Sequence, residues 1–251
     1  MSSAPVSMLK LTLKPTKNNF IRLIPLGCLH VGHRNFLLDY AKGFIEYALR
    51  TPDTYIVSMG DTVENVTRDS IGSPFEQTLP PSEQVEAVCR MFEPLVRAGK
   101  ILFMMDSNHS YRSIKTADYS PEADIARRLG VPYGGWDLQT EFIVGKQHYF
   151  GHFVHGGRGT ASPEGALASC KRQATRAEAD LYVRGHHHTI VVHKDMHMGR
   201  DGQLRKRVFA VTGCFLGWKG SYAEVKEYPI NAPGTSKIKL YADKWDIHAN
   251  V

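Results

Sequence analysis

The chain has 251 residues, 42% of them hydrophobic, which is enough apolar side chain for one large α/β core without disulfide staples. Lysine and arginine number 31 against 25 acidic residues, a net charge of +6 that draws a protein towards polyanions such as nucleic acid, although many ordinary enzymes are as basic. The four cysteines (Cys28, Cys89, Cys170, Cys214) form no CxxC pair, which argues against a disulfide framework or a zinc knuckle and reads as reduced intracellular thiols.

The first twenty residues lack the continuous apolar stretch of a signal peptide, and no apolar run approaches the ~18 residues of a membrane helix. The expectation is a cytoplasmic protein with no membrane partner. In chain order, FIRLIPL (20–26) reads as a buried strand, 35–50 as a helix and TYIVSM (54–59) as a second strand, a βαβ rhythm. A helix from Ser82 to Arg97, a strand over 101–105 and a helix in SPEADIARRLG continue it. Ser120 is placed to cap that last helix, Pro121 to open it and Gly130 to end it.

From Thr140 the spacing shortens, and TEFIVGKQHYFGHFVHG reads as two strands about a Gly-Lys turn. Behind a Ser162 cap a helix is predicted over 163–180, then strands at 181–185, 189–195, 207–214 and 237–245. No repeat, low-complexity segment or linker interrupts the pattern. The reading is one domain over 1–251, with a motif-bearing core at about 20–215 and a C-terminal strand region at 216–251; the stretch 69–81 reads as a long loop on the motif face.

At the ends of successive strands lie CLH (28–30), GDTVEN (60–65), SNH (107–109), VHGG (154–157) and GHHH (185–188). Taken singly, each has a bland reading: Gly-Asp is often a turn, a lone histidine before glycines is often a satisfied loop residue, and a histidine tract collects metal adventitiously. Five junctions carrying metal-ligating side chains in one chain are hard to attribute to chance.

The ordered set resembles the calcineurin-like metallophosphoesterase family, whose blocks run D-x-H, G-D-x-x-D/E/N, G-N-H-D/E, a lone H and G-H-x-H, over about residues 24–190. The resemblance implies a four-layer α/β/β/α sandwich of two mixed sheets flanked by helices, with the motif loops meeting at one edge. It also implies two divalent metal ions bridged by Asp61. Carried over block by block, the first takes Cys28, His30, Asp61 and His188, and the second takes Asp61, Asn108, His155 and His186. His109 matches the family histidine that steadies the transition state or protonates the leaving oxygen. Arg112, just beyond that block, suits a bidentate phosphate clamp, with a surface salt bridge as the other reading.

The remaining histidines, His33, His148, His152, His187, His193 and His197, read as strand or surface residues. His187 points away from its neighbours if that segment is extended. His152 competes with His155 for the lone-histidine block, and the glycines after His155 favour it by allowing close approach of metal and phosphate.

Three positions depart from the family pattern: Cys28 replaces an aspartate, Ser107 a glycine and Ser110 an acidic residue. A thiolate suits zinc or ferrous iron at ~2.3 Å and suits magnesium or manganese poorly. Cys28 therefore either softens the first site or does not ligate; over the whole donor set Mn, Zn or Fe is expected ahead of Mg. The implied function is phosphoester hydrolysis by a metal-bound hydroxide, with a nuclease-like phosphodiesterase acting on nucleic acid or a nucleotide preferred. The alternatives are a small-molecule phosphomonoesterase or cyclic-nucleotide hydrolase, and a catalytically weak binding scaffold. Arg158, Lys171 and Arg172 fall near the motif face as candidate nucleic-acid contacts. Against that reading, the aromatics that would stack single-stranded bases, Tyr111, Tyr119, Tyr133 and Trp136, are not interleaved with basic residues, and the other reading of them is core.

Overall fold

The computed structural model describes residues 8–68, 70, 72–157, 159–160, 162–199 and 202–251, apart from the side chain of Tyr222. Arg158 lies outside them. In chain order the chain forms β1 (Leu9–Leu13), β2 (Phe20–Leu26), α1 (Leu38–Arg50), β3 (Thr54–Ser58), α2 (Pro81–Arg97), β4 (Ile101–Met104), α3 (Asn108–Ala117) and α4 (Pro121–Leu129). The second half adds β5 (Asp137–Val144), β6 (Gln147–Val154), α5 (Pro163–Lys171), β7 (Leu181–Arg184), β8 (Val191–Met198), β9 (Leu204–Val211), the short α6 (Tyr222–Val225), β10 (Lys237–Tyr241) and β11 (Ile247–Asn250).

These strands make two mixed sheets, ordered β11-β10-β2-β3-β4 and β1-β5-β6-β7-β9-β8. In β2, Ile21 and Leu23 face one way and Ile24 and Leu26 the other, all fully buried, which is why the segment reads as one apolar run rather than an alternation. Leu23, Val57 and Phe103 of the smaller sheet meet Phe142, Phe153 and Val183 of the larger one in the central core. Phe153 packs edge-on against Phe103, with ring centroids 5.0 Å apart. On the outside of the smaller sheet, Ile45, Val88, Phe92 and Ile125 of α1, α2 and α4 cover Ile24, Ile56 and Met104. Ala166 and Cys170 of α5 cover Tyr182 and Phe209 on the outside of the larger. The layers are helix, sheet, sheet, helix, as the resemblance implied.

The local punctuation acts as read: Ser120 Oγ accepts the Ala123 N–H at 3.1 Å, Gly130 ends α4 at φ 66°, and Ser162 Oγ accepts the Gly165 N–H at 3.1 Å. Other boundaries differ. The helix expected to reach 180 stops at Lys171 and passes into a 3₁₀ turn, Arg172–Thr175, because the side-chain amide of Gln173 is pinned to the carbonyls of His152 and Val183 at 3.1 and 3.4 Å. The strand expected over 237–245 ends at Tyr241, and β11 pairs back antiparallel onto β10. The helix expected from 35 starts at Leu38. Of the loop expected over 69–81, Asp69 and Ile71 lie outside the described residues; the rest holds a 3₁₀ turn, Pro74–Glu76, and the Glu76 carbonyl accepts the Arg34 N–H at 2.8 Å beside the first motif. No helix among the described residues is long and apolar enough to cross a membrane.

Candidate metal centre

β2, β3 and β4 run parallel, as do β6 and β7, so all five motif blocks leave their strands at C-terminal ends. Cys28 and His30 follow β2, Asp61 follows β3, Asn108 and His109 open α3 after β4, His155 follows β6, and His186 and His188 follow β7. The backbone there is unusual. Cys28, His30, Asp61, His186 and His188 adopt left-handed φ of 55°, 55°, 50°, 75° and 57°, a conformation that costs a non-glycine residue of order 1–3 kcal/mol. The neighbouring glycines give room: a Cβ on Gly60 would lie 2.7 Å from the Asp106 carbonyl oxygen, and one on Gly185 would lie 2.9 Å from His155 Nδ1.

These turns bring the side chains together in two groups. One ligand atom each from Cys28, His30, Asp61 and His188 lie within 4.8 Å of one another, and so do those of Asp61, His155 and His186. Asp61 belongs to both. Asn108 joins the second group, with its Oδ1 2.9 Å from His155 Nε2.

The hydrogen-bond partners fix which nitrogens are free. His30 Nδ1 lies 2.9 Å from Glu64 Oε2, which can only accept, so Nδ1 carries the proton and Nε2 is bare; that bare nitrogen sits 3.1 Å from His188 Nε2. His155 Nδ1 donates to the Met59 carbonyl at 2.6 Å, and its Nε2 faces Asn108 Oδ1 and, at 3.0 Å, Asp61 Oδ2. Among the described residues, no hydrogen bond of acceptable angle reaches Asp61 Oδ2, despite that short separation and full burial. With the histidines neutral, the interior of the cluster is thus lined by acceptors that face one another. Such a set is stable only with a proton or a cation among them.

Electrostatics agree. Burial holds His30 down at about 3 and His186 at about 4, and with the neighbouring His30 it depresses His188 further; imidazoles kept neutral are ready metal ligands. His155 moves the other way, because the Asp61 charge outweighs the effect of burial and draws a proton onto it. Burial also opposes the charge on Asp61, yet His109 and His155 hold its carboxyl well below the usual range. Burial and the Asp61 charge push the Cys28 thiol up, although its Sγ accepts the His186 N–H at 3.3 Å.

Glu64, the fifth residue of the second block, was assigned no role in the sequence reading. Besides orienting His30, it binds Arg112: Nη1 donates to its Oε1 at 3.1 Å and to its backbone oxygen at 2.7 Å. Arg112 Nη2 lies 3.1 Å from His109 Nε2, and His109 Nδ1 donates to the Glu64 carbonyl at 2.7 Å. Burial holds His109 at about 4. Glu122 was also missed. It is fully buried and accepts both the N–H and the hydroxyl of Thr62, at 2.8 and 2.7 Å, which holds the turn that carries Asp61. Its signal was faint: an acidic residue in the first turn of α4, which reads as a helix-end charge.

His152 does not join the cluster; it points to the outer face of β6 and pairs with Asp137 at 2.6 Å. His187 is also outside both groups and accepts from Arg184 Nε at 3.1 Å, but the segment is not extended: two left-handed residues on either side of it turn His186 and His188 inward. A Cβ on Gly156 would fall 2.5 Å from Arg184 Nη2. Ser107 is extended, with φ −151°, and caps α3, so glycine's freedom is not needed there. Tyr119 and Tyr133 turn to Asp124 and Asp106, and Lys171 and Arg172 to Asp195 and Ser169.

No protein-family model and no curated protein matches the chain. Among solved structures it is similar to a conserved uncharacterized protein of Streptococcus pneumoniae, a predicted phosphoesterase, at 13% identity over 92% of this chain and 98% of that one, with a TM-score of 0.40.

Proposed function

We propose that the chain is a metal-dependent phosphoesterase that favours phosphodiesters. The observation that carries this reading is the buried cluster in which Asp61 belongs to two groups of ligand atoms, each lying within 4.8 Å of one another, with Cys28, His30 and His188 in one and His155 and His186 in the other. Cys28, His30, Asp61 and His188 would hold one divalent ion and Asp61, Asn108, His155 and His186 a second; when bound, such ions supply the Lewis acidity for water to attack phosphorus. In that hydrolysis the water oxygen forms the new P–O bond, the ester P–O bond breaks, and a proton ends on the leaving oxygen.

The remaining groups orient and balance charge. Glu64 fixes the His30 tautomer, as a carboxylate behind a ligating histidine does. Arg112 and His109 form a coupled pair at the rim, and in this arrangement His109 Nε2 accepts from Arg112. The fixed positive charge of Arg112 serves to steady the phosphoryl oxygens, and His109 can protonate a leaving oxygen only after that contact opens. A binding scaffold is the second reading, favoured by the thiol of Cys28, which burial keeps protonated until a cation displaces the proton.

The test is a metal-by-substrate matrix: Mn, Zn, Fe and Mg against a generic diester, a monoester, and single- and double-stranded DNA, with Asp61→Asn as control. Turnover well above the control with at least one metal is expected. Parity under every metal overturns the enzyme. Cys28→Asp is expected to move the preference towards Mn; an unchanged preference and rate would make Cys28 a bystander.

A further inference from the structure

Two clefts border the cluster, and they share no lining residue. One, of about 420 Å³, is reached past His186 and His188 and is walled by Trp218, Tyr228 and Leu216. The other, of about 480 Å³, is reached past Asn108 and Gly156 and is walled by Tyr111, Trp136 and Arg176. Both volumes lie within the ordinary range for small-ligand sites.

The rings are held in place, and those of the second cleft are open to solvent. The Trp218 indole N–H donates to the Tyr228 carbonyl at 2.8 Å, which fixes that ring against its wall. Tyr111 and Trp136 meet edge to face, with centroids 6.2 Å apart and planes at 78°, and are 57% and 42% exposed, so the pair leaves a ring face open to solvent beside Asn108.

Charge tells what these walls suit. Among the described residues, the first cleft is lined by no lysine, arginine, aspartate or glutamate. In the second, the charged residues are Asp137 and Arg176, which pair with one another at 3.2 Å. The described lining of neither cleft offers net charge for a phosphate, which points a phosphate to the cluster they border. The clefts instead suit flat, neutral groups that stack, one on each side of a phosphodiester.

We infer that the substrate is single-stranded nucleic acid, bound with its scissile phosphate at the Asp61 cluster and the flanking bases against Trp218 on one side and the Tyr111–Trp136 pair on the other. This rests on the phosphoesterase reading. Duplex DNA is disfavoured because its bases are already stacked and paired, and opening them costs several kcal/mol.

Binding separates this inference from the enzymatic one. Fluorescence anisotropy in chelator, with a labelled oligothymidylate of eight nucleotides, reads the clefts without turnover. Trp136→Ala and Trp218→Ala are each expected to weaken it about 5- to 100-fold, the worth of one base stack, and the double variant further still. The dinucleotide should be the shortest ligand sensitive to both substitutions, a mononucleotide sensitive to at most one, and a duplex of equal length the weakest binder. Wild-type affinity in both single variants, or a duplex that binds as well as the single strand, overturns the inference. Circular dichroism of each variant checks its fold; if either is misfolded, Trp136→Phe and Trp218→Phe replace it and should recover most of the affinity only if stacking is the cause. Should generic diester turnover fail while single-strand binding keeps this pattern, the enzyme falls and the binding clefts stand.

Discussion

β3 has a buried aspartate at each end, Asp53 just before it and Asp61 just after it. Both have left-handed backbones, with φ of 55° and 50°, and both are shielded, at 5% and 1% exposure. Asp53 accepts from the N–H and hydroxyl of Thr16, the N–H of Lys17, and the N–H and amide of Asn18, all at 2.7–3.0 Å. Among the described residues, Asp61 receives one long bond, 3.3 Å, from the His109 N–H to Oδ1, and none of acceptable angle to Oδ2. Burying a carboxylate costs several kcal/mol unless something compensates it. At Asp53 the fold does so with hydrogen bonds; at Asp61 it relies on charge, a proton drawn onto His155 or a cation held among the ligand atoms.

That contrast is broken most directly at Asp61. Asp61→Asn should lower turnover about a thousandfold, the equivalent of about 4 kcal/mol, and remove bound metal. In chelator, however, it should melt no lower than the wild type, because a buried charge has been deleted. A melting point several degrees lower would mean that Asp61 supports the fold as Asp53 does.

Asp53→Ala is the mirror experiment. It should cost about 3 kcal/mol, because buried donors lose their acceptor, and lower the melting temperature by about 6 to 12 °C with turnover per folded molecule unchanged. Its pH dependence has a definite sign. Burial opposes the charge, but the Lys17 and Thr16 amides outweigh it and hold the carboxyl well below the usual range. The stability it confers is therefore complete above the unfolded value of about 3.9 and lost as pH falls towards the folded one. Urea unfolding at pH 7 and pH 3 should show the gap between wild type and Asp53→Ala narrowing at pH 3; a constant gap would refute the ionic account. Smaller again, Glu64→Gln should weaken metal binding about 10- to 100-fold by loosening His30, as read by competition with a chelator. Unchanged affinity would show that the carboxylate behind His30 is dispensable.

The sequence made one side of this contrast legible and hid the other. Asp61 and the histidines after β7 announce themselves because each sits in a short block with glycine at a strand end, where backbone and chemistry are both constrained. Asp53 reads as an ordinary turn residue in Thr-Pro-Asp-Thr; its donors lie about 35 residues away, and no local pattern encodes them. Glu122 and Gln173 were hidden for the same reason, since their partners lie across the fold. β1 was overlooked although LKLTL alternates, because its neighbour β5 arrives more than a hundred residues later. α3 was overlooked because Ser-Asn-His was read for its chemistry; Ser107, taken as a departure from a glycine, is the cap that begins that helix. The layers came from the family resemblance, with which the strand-helix alternation and the strand-rich second half agree, whereas the length of α5 depended on a tertiary bond from Gln173 that no periodicity carries.

A third carboxylate sharpens the comparison. Asp106 follows β4 at the same end as Asp61, two residues before Asn108, and is 1% exposed. Position alone would make it a ligand. Its bonds say otherwise: Oδ1 accepts the Ser107 N–H at 2.8 Å, and Oδ2 accepts the hydroxyls of Ser120, at 3.1 Å, and Tyr133. If internal compensation rather than location separates structural from ligating carboxylates, Tyr133→Phe should cost about 1 kcal/mol of stability and leave metal stoichiometry unchanged, because the Ser120 and Ser107 donors still occupy Asp106. Metal analysis of the purified variant reads this directly. A change in bound metal would place Asp106 with Asp61, and donors on a carboxylate would no longer tell the two kinds apart.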